Sequence, residues 1–231
     1  MRVGAIVGEP LAIHGIGNRA SRAARVRELL AEVGLPGGAM QRYPHEFSGG
    51  QRQRIGLARA LALQPKLIVA DEPVSALDVS IQAQILNLMR DLQERHGLTY
   101  VFISHDLSVV RYLSTTIGVM YLGKMVEIGP AGAVYGQPRH PYTRGLIDTI
   151  PVADPWAQRV SDDGVRGELP SAIRPPSGCR FRTRCPLAQD ICAEQEPPLR
   201  SFGTDGHQAA CHFPLGATIS TEDRLAPNAS A

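Results

Sequence analysis

Phe47-Ser48-Gly49-Gly50-Gln51 is the stretch around which the chain is organised. Ser48 is a good helix N-cap, because its hydroxyl can accept a hydrogen bond from a backbone N–H of the following turn. Apolar residues then recur at helical spacing, which predicts a helix that runs to about Leu63. Gly49 and Gly50 leave the first turn bare, so its N–H groups and the positive end of the helix dipole favour an anion site. An ordinary capped helix is the alternative interpretation.

Leu67-Ile68-Val69-Ala70-Asp71-Glu72 follows this helix and has the pattern of a strand that ends in acidic residues. The apolar run predicts a strand that is buried on both faces. Asp71 and Glu72 come at its carboxyl end, where open α/β sheets place their ligands. Two adjacent carboxylates are costly there unless a cation or a proton transfer uses them. These two residues are therefore candidate metal-binding and catalytic groups.

Further motifs continue in a fixed order along the chain. Ser75-Ala76-Leu77-Asp78 precedes a second amphipathic helix, and the apolar run Tyr100 to Ile103 predicts a second strand, with His105 just beyond its end. Together these motifs resemble those of the ATP-binding-cassette (ABC) ATPases. FSGGQ resembles the family signature, LIVADE the Walker B strand, SALD the D-loop, and His105 the switch histidine. Four motifs in the family's order are far more specific than any one of them.

The resemblance implies a role for each motif in the binding and hydrolysis of ATP with Mg²⁺. Glu72 would be the general base for the attacking water, Asp71 would hold Mg²⁺ through water, and His105 would contact the γ-phosphate. The signature residues would contact the γ-phosphate bound on the opposite subunit of a head-to-tail dimer, and one D-loop residue would join the two sites. These signature and D-loop residues are Ser48, Gly49, Gly50, Gln51 and Asp78.

ABC ATPases also need a P-loop, G-x-x-x-x-G-K-[ST], whose lysine and backbone amides hold the phosphates. The chain has only two lysines, Lys66 and Lys124, and neither lies in such a loop. Gly118 to Met125 fits the first seven positions, but methionine replaces the hydroxyl residue, and the pattern favours a β-hairpin with its turn at Gly123-Lys124. In the resembled family the Walker A segment and the Q-loop precede the signature, so we expect an N-terminally truncated chain that is inactive alone.

His140-Pro141-Tyr142-Thr143 resembles the segment that follows the ATPase core in dipeptide and oligopeptide importers. It predicts a proline-rigid turn into a helix that ends near Ile150. The predicted fold is α/β: a truncated P-loop NTPase core with a helical subdomain, and then a small irregular domain that contains cysteines. The predicted domains are residues 1–145, divided into a helical subdomain (1–63) and a sheet part (64–145), and residues 146–231, with a four-cysteine site at 179–211.

All four cysteines lie in the last quarter of the chain, in the pattern Cys179-x5-Cys185-x6-Cys192-x18-Cys211. In a cytosolic ATPase such a set favours metal over disulfides. The spacing is looser than that of zinc ribbons and differs from common ferredoxin spacings. It resembles the tail of peptide-importer ATPases, where such cysteines can hold a [4Fe–4S] cluster. Zinc and free thiols stay open as alternatives, and we expect the loop Pro151 to Ser177 to separate this tail from the core.

Composition sets wider bounds on function. Hydrophobic residues make up 43% of the chain, which is ordinary for a globular protein, and no apolar run approaches the roughly 20 residues of a membrane-spanning helix. The net charge of +2 argues neither for nor against nucleic acid. The resemblance implies as partners a second ATPase subunit, permease subunits and, indirectly, an extracytoplasmic peptide-binding protein, with no nucleic acid. It implies a peripheral location at the cytoplasmic face of the membrane.

The sequence thus predicts the ATP-binding and ATP-hydrolysing subunit of an ABC importer for di- or oligopeptides. One alternative is a catalytically incompetent fragment that only docks on a permease or lends its signature helix to a partner ATPase subunit. A third hypothesis is a DNA-repair or chromosome-organising ATPase, since these share the signature. The short spacing from Ser48 to Asp71 argues against it, because no coiled-coil insertion fits there.

Overall fold

The computed structural model describes residues 1–150, 165 and 167–216. It divides the chain into two compact units, Met1–Leu113 (unit 1) and Ser114–Ala231 (unit 2). The boundary precedes the hairpin that we had assigned to the ATPase sheet. The predicted functional division at 145/146 stays a prediction.

Helices form the first half of unit 1. The elements are α1 (Val3–Ile13), α2 (Arg19–Glu32), two 3₁₀ turns (Gly37–Gln41 and Pro44–Glu46) and α3 (Gly49–Ala60), which is extended by a 3₁₀ turn at Leu61–Leu63. α2 begins at Arg19 because the Asn18 side chain accepts hydrogen bonds from the backbone N–H groups of Ala20 and Ser21. α1 packs against α2 and α3, and their shared apolar core includes Val7, Leu30 and Ala58.

Two parallel strands and two helices form the rest of unit 1. The elements are β1 (Leu67–Asp71), α4 (Val79–His96), β2 (Thr99–Ile103) and α5 (Leu107–Leu113). β1 pairs with β2 in parallel, so that Asp71 lies opposite Ile103. α4 ends where Gly97 adopts the left-handed conformation with φ of +62°. The carboxylate of Asp106 caps α5, since it accepts a hydrogen bond from the Ser108 N–H at 2.8 Å.

The prediction that β1 is buried on both faces is wrong. Ile68 and Ala70 are each 8% exposed and join the core, whereas Leu67 and Val69 are 51% and 62% exposed. The physical reason is that, among the described residues, the β1–β2 sheet packs its apolar core on one face only. Along β2, Val101 and Ile103 are likewise exposed.

Unit 2 is built on an antiparallel sheet in the order β3-β4-β6-β5. Its strands are β3 (Thr116–Tyr121), β4 (Lys124–Pro130), β5 (Arg200–Ser201) and β6 (Gln208–Ala209), and its helices are α6 (Ala131–Gly136), α7 (Pro141–Asp148) and α8 (Ile191–Glu194). The predicted β3–β4 hairpin is confirmed, but its turn lies at Leu122-Gly123, one residue earlier than predicted. Both turn residues have positive φ, 45° and 78°, as a type I′ turn requires.

The cysteine tail is not separate from the strands of unit 2, contrary to our expectation. β6 pairs with β4, so that Glu127 lies opposite Ala209. Phe181, in the tail, is 1% exposed, and its ring centroid lies 5.2 Å from that of Tyr121 and 5.3 Å from that of Tyr142. Most of the predicted loop Pro151 to Ser177, namely residues 151–164 and 166, lies outside the described residues, as does 217–231.

Candidate functional site

The first turn of α3 is held by reciprocal hydrogen bonds. The Ser48 hydroxyl accepts from the Gln51 N–H at 3.4 Å, and the Gln51 Oε1 accepts from the Ser48 N–H at 3.1 Å. This capping box satisfies two backbone donors at the helix start and fixes how the chain enters α3. The predicted N-cap role of Ser48 is confirmed.

The two glycines of this turn allow α3 to approach the SALD segment and the start of α4. A Cβ on Gly49 would lie 2.9 Å from Leu77 Cδ2, and a Cβ on Gly50 would lie 2.4 Å from Ile81 Cγ2. Such distances are far inside van der Waals contact, so larger residues would force the two segments apart. The structure therefore brings the predicted signature turn and the predicted D-loop together.

The SALD segment itself is fixed by polar contacts. Asp78 Oδ1 caps α4 by accepting a hydrogen bond from the Ile81 N–H at 3.0 Å. Gln82 Nε2 donates to the carbonyl oxygens of Val74 at 3.0 Å and Leu77 at 3.1 Å. Sequence reasoning missed Gln82, although a glutamine four residues after an aspartate N-cap can reach back to the preceding turn. This side chain positions the segment that carries Asp78.

Glu72 and His105, the predicted catalytic residues, are brought together by the parallel strands. Each follows the carboxyl end of its strand, and His105 Nδ1 lies 3.0 Å from Glu72 Oε1. The Glu72 N–H donates to the carbonyl of Ile103 at 2.9 Å, and Ser75 Oγ donates to the Glu72 carbonyl at 3.1 Å. These contacts hold Glu72 at φ of +44°, a region that non-glycine residues seldom occupy.

The Glu72–His105 contact shifts the ionisation of both groups. The hydrogen bond from His105 and the charge of that histidine lower the pKa of Glu72. The hydrogen bond to Glu72 and its negative charge raise the pKa of His105. A carboxylate can only accept hydrogen bonds, so the proton of this contact lies on His105 Nδ1. Asp71 is exposed beside the pair at the end of β1, where an oxygen ligand suits Mg²⁺.

The four predicted cysteine ligands all lie in unit 2, where Cys192 is buried and the other three are partly buried. Burial raises the pKa of three of these thiols, to about 12 for Cys211, and the neighbouring cysteines add to the rise. No group of three or more candidate ligands in the described part of the chain is arranged to hold a metal ion.

Sequence reasoning also missed a buried polar network around Glu127, which is 0% exposed. Its carboxylate accepts hydrogen bonds from the backbone N–H groups of Arg139 at 2.7 Å and His140 at 2.9 Å. His207 Nε2 lies 2.7 Å from the same carboxylate. Glu127 thus ties β4 to the His-Pro-Tyr-Thr segment and to β6. A charged residue amid the apolar residues of β4 was the only signal in the sequence.

Comparison with known proteins agrees with the motif order. Residues 126–192 match the family described as "Oligopeptide/dipeptide transporter, C-terminal region", and residues 5–75 match the family described as "ABC transporter". The fold is similar to that of an inward-facing metal-chelate type ABC transporter, with a TM-score of 0.52 and 27% identity over 60% of this chain and 59% of that chain. None of the described helices is both long enough and apolar enough to cross a membrane.

Curated relatives carry matching names. The chain is 56% identical over 211 residues to a Brucella ovis protein named as a peptide import ATP-binding protein. The aligned region covers 91% of this chain and 66% of that protein. It is also 54% identical over 209 residues to the oligopeptide transport ATP-binding protein AppF of Bacillus subtilis. This aligned region covers 90% of this chain and 63% of AppF. The chain therefore spans slightly less than two thirds of the length of these relatives. It belongs to the ABC transporter ATP-binding protein family of the oligopeptide/dipeptide type.

Proposed function

We propose that this chain is the ATP-binding and ATP-hydrolysing subunit of an ABC importer for di- or oligopeptides. The observation that carries the proposal is the Glu72–His105 contact of 3.0 Å beside Asp71 at the carboxyl ends of two parallel strands. Parallel α/β sheets bind their ligands at this edge. The names of the relatives supply the substrate class, peptides, and the coupled activity, transport.

The geometry suits the chemistry of phosphoryl transfer to water. Glu72 is held as a carboxylate by His105, so it can orient a water molecule and accept its proton as the water attacks the γ-phosphorus. With Nδ1–H bound to Glu72, the Nε2 of His105 would donate a hydrogen bond to the γ-phosphate in the protonated imidazolium, which the raised pKa of His105 favours. Asp71 would hold Mg²⁺ through water, and the ion would neutralise phosphate charge.

The signature turn would act on a second ATPase subunit. Ser48, Gly49, Gly50 and Gln51 present a capped helix start, and the N–H groups there favour a phosphate. Asp78, on the segment packed against that turn, would contact the same interface. Permease subunits at the cytoplasmic face of the membrane, and indirectly a peptide-binding protein, complete the proposed assembly.

A first experiment tests the signature turn. The 231 residues contain no P-loop, so the chain is combined with a relative's ATPase subunit that has one, and phosphate release is measured in the purified mixed dimer. Ser48→Arg should lower the rate at least ~10-fold, because it puts a bulky charge where the partner's γ-phosphate binds. Gly56→Arg adds the same charge on the same helix where nothing lies within 4 Å, and should leave the rate unchanged. Equal rates for both variants would refute the proposed contact.

A second experiment separates the enzyme from the docking-only alternative. The 231-residue chain alone should bind ATP weakly and release phosphate at the background rate, as measured by calorimetry and a phosphate assay. In a mixed dimer whose partner carries glutamine in place of its own catalytic glutamate, Glu72→Gln should lower the remaining turnover ~10²-fold or more if this chain's own carboxylate takes the proton. Glu94→Gln, an exposed change on α4, is the matched control. Unchanged turnover in Glu72→Gln would favour docking only.

We propose that Cys179, Cys185, Cys192 and Cys211 hold a [4Fe–4S] cluster, with zinc as the alternative. The closeness of the four thiols supports it, since neighbouring cysteines help to raise the pKa of Cys179, Cys185 and Cys211. Four thiolates in one short segment would repel one another, and bound metal relieves that repulsion. Anaerobically purified protein should carry about four irons per chain, and Cys192→Ser should remove them. Zinc without iron would support the alternative, and four freely titrating thiols would refute both.

A further inference from the structure

Unit 2 contains a cavity of about 590 Å³ that no part of the proposed ATPase mechanism uses. It lies between α6 and the loop that joins β5 to β6. Three polar groups in its lining could contact a ligand: a cation, a carboxylate and a hydroxyl. These are contributed by Arg139, Asp205 and Thr204.

Arg139 is a half-buried cation. Its Nη1 donates to the Leu215 carbonyl at 3.0 Å, and its Nη2 makes a long contact of 3.4 Å with Gln137 Oε1. Its Nε is buried and, within the described residues, has neither a hydrogen-bond partner nor an acidic side chain at ion-pair distance. The Nε is closed to solvent, so the donor left for a ligand in the cavity is Nη2, whose long contact with the exposed Gln137 side chain an anionic acceptor could replace with a charge-assisted hydrogen bond.

Two contacts hold this guanidinium in place. The Arg139 backbone N–H donates to the buried Glu127 carboxylate at 2.7 Å, which fixes the main chain. The guanidinium carbon lies 5.5 Å from the centre of the Phe202 ring, within the range of a cation–π contact. A guanidinium held in this way is suited to a carboxylate, whose oxygens accept charge-assisted hydrogen bonds from it.

Asp205 places a negative charge on the lining of the same cavity. It is exposed, and its Oδ1 accepts a hydrogen bond from the His207 backbone N–H at 3.2 Å. His207 itself is engaged, because its Nε2 contacts Glu127. One cation and one anion therefore line the cavity. A phosphate dianion would be repelled by Asp205, whereas a zwitterion is matched by both charges.

We propose that this cavity binds a short peptide with free termini, in which Arg139 takes the α-carboxylate and Asp205 takes the α-ammonium group. The choice of peptide rests on the proposed function, which supplies this class of zwitterion as the imported product. The cavity has room for a dipeptide, since ligand pockets begin at about 300 Å³. The subunit would thus carry a product-binding site apart from its ATPase residues.

Ligand-side experiments test the proposal without altering the fold. Calorimetry or NMR titration of the full chain should show that alanyl-alanine binds with a Kd of ~1 mM or tighter, as is reasonable for so small a ligand. Alanyl-alanine amide, which lacks the carboxylate, and N-acetyl-alanyl-alanine, which lacks the ammonium group, should each bind at least ~10-fold more weakly. Equal affinity for all three compounds, or no binding of the dipeptide, overturns the proposal, and tighter binding of inorganic phosphate replaces it with an anion site.

Protein variants locate the site. Arg139→Gln keeps the backbone donor to Glu127 and should weaken dipeptide binding at least ~10-fold, whereas Arg200→Gln, an exposed arginine that does not line the cavity, should not. Asp205→Asn should abolish the preference for the free ammonium group. Full affinity in a folded Arg139→Gln variant also overturns the proposal. Glu72 does not line the cavity, so Glu72→Gln should bind the dipeptide with wild-type affinity. Dipeptide binding and ATP turnover can therefore fail independently, and the two proposals are tested separately.

Discussion

The two units each contain a glutamate–histidine pair, and the two pairs differ in environment. In unit 1, His105 and Glu72 lie 3.0 Å apart, with side chains 72% and 46% exposed. In unit 2, His207 and Glu127 lie 2.7 Å apart, with side chains 3% and 0% exposed. The same two residue types thus form a solvent-facing contact in one unit and a sealed contact in the other.

This difference separates a pair that can react from a pair that holds structure. Water and phosphate can reach Glu72 and His105, and an exposed ion pair adds little to folding stability. No substrate can reach Glu127, whose two oxygens are already used by two backbone N–H groups and a histidine. Removal of one partner from a buried pair leaves the others desolvated and unpaired, which is costly.

Glu127→Ala should give the largest effect on stability. It leaves the buried donors of Arg139, His140 and His207 without their acceptor, so the free energy of opening unit 2 should fall by about 3–5 kcal/mol. Hydrogen exchange of the β4 backbone amides measures this free energy. Glu72→Ala should leave it unchanged.

Glu196→Ala is the matched control for that experiment. Glu196 pairs with Lys124 of the same strand at 2.9 Å, but the two side chains are 55% and 46% exposed. Removal of such a surface pair should cost less than about 1 kcal/mol. Similar losses in Glu196→Ala and Glu127→Ala would contradict the distinction between sealed and solvent-facing pairs.

His140 gives the second prediction, which concerns acid stability. Burial lowers the pKa of His140 from 6.5 to about 4. Below pH 6.5 His140 becomes protonated in the unfolded chain, whereas in folded unit 2 it stays neutral down to about pH 4. The stability of unit 2 therefore decreases as the pH is lowered from 6.5 to 4. At 1.36 kcal/mol per pKa unit, unit 2 should lose about 3 kcal/mol between pH 7 and pH 4 through this residue.

The control for His140 must keep the start of α7 intact. His140 Nδ1 accepts the Tyr142 N–H at 3.1 Å, and asparagine is also a good N-cap. His140→Asn should therefore be less sensitive to acid than the wild type by about the amount above. Hydrogen exchange of the α7 amides measures the acid sensitivity of both proteins. If the two were equally sensitive, another group would govern the acid response.

Much of unit 1 could be predicted because its motifs act locally. Ser48 and Asp78 cap helices through residues three positions away, and apolar periodicity marks the elements between them. The positions of Glu72 and His105 at the ends of their strands were predicted, whereas the contact between the two side chains was not. The one-sided burial of β1 could not be predicted, because it depends on what covers the sheet.

The network in unit 2 could not be predicted, because its partners are far apart in sequence. Glu127 and His207 are separated by 80 positions, and nothing in the local pattern of β4 specifies its pairing with the two-residue strand β6. Leu122 is a second example. It adopts a positive φ of 45°, although its residue type disfavours that conformation, so local preference shifted the predicted turn by one residue.

Glu72→Gln should give the smallest effect on stability but a clear effect on ionisation. The amide removes the charged acceptor that raises the pKa of His105, so that pKa should fall toward the ordinary value of 6.5. NMR titration of the His105 ring protons measures it, and Glu94→Gln, on the solvent face of α4, should leave it unchanged.

The direction of this shift follows from linkage. A raised His105 pKa favours the folded pair at low pH and loses its effect as pH rises through that pKa, whereas the lowered Glu72 pKa acts in the opposite direction. Both contributions are fully present between about pH 4.5 and 6.5, the ordinary pKa values of the two groups, and solvent screening keeps them small. An unchanged His105 pKa in Glu72→Gln would show that the contact does not persist in solution, and it would remove the main support for His105 and Glu72 as a catalytic pair.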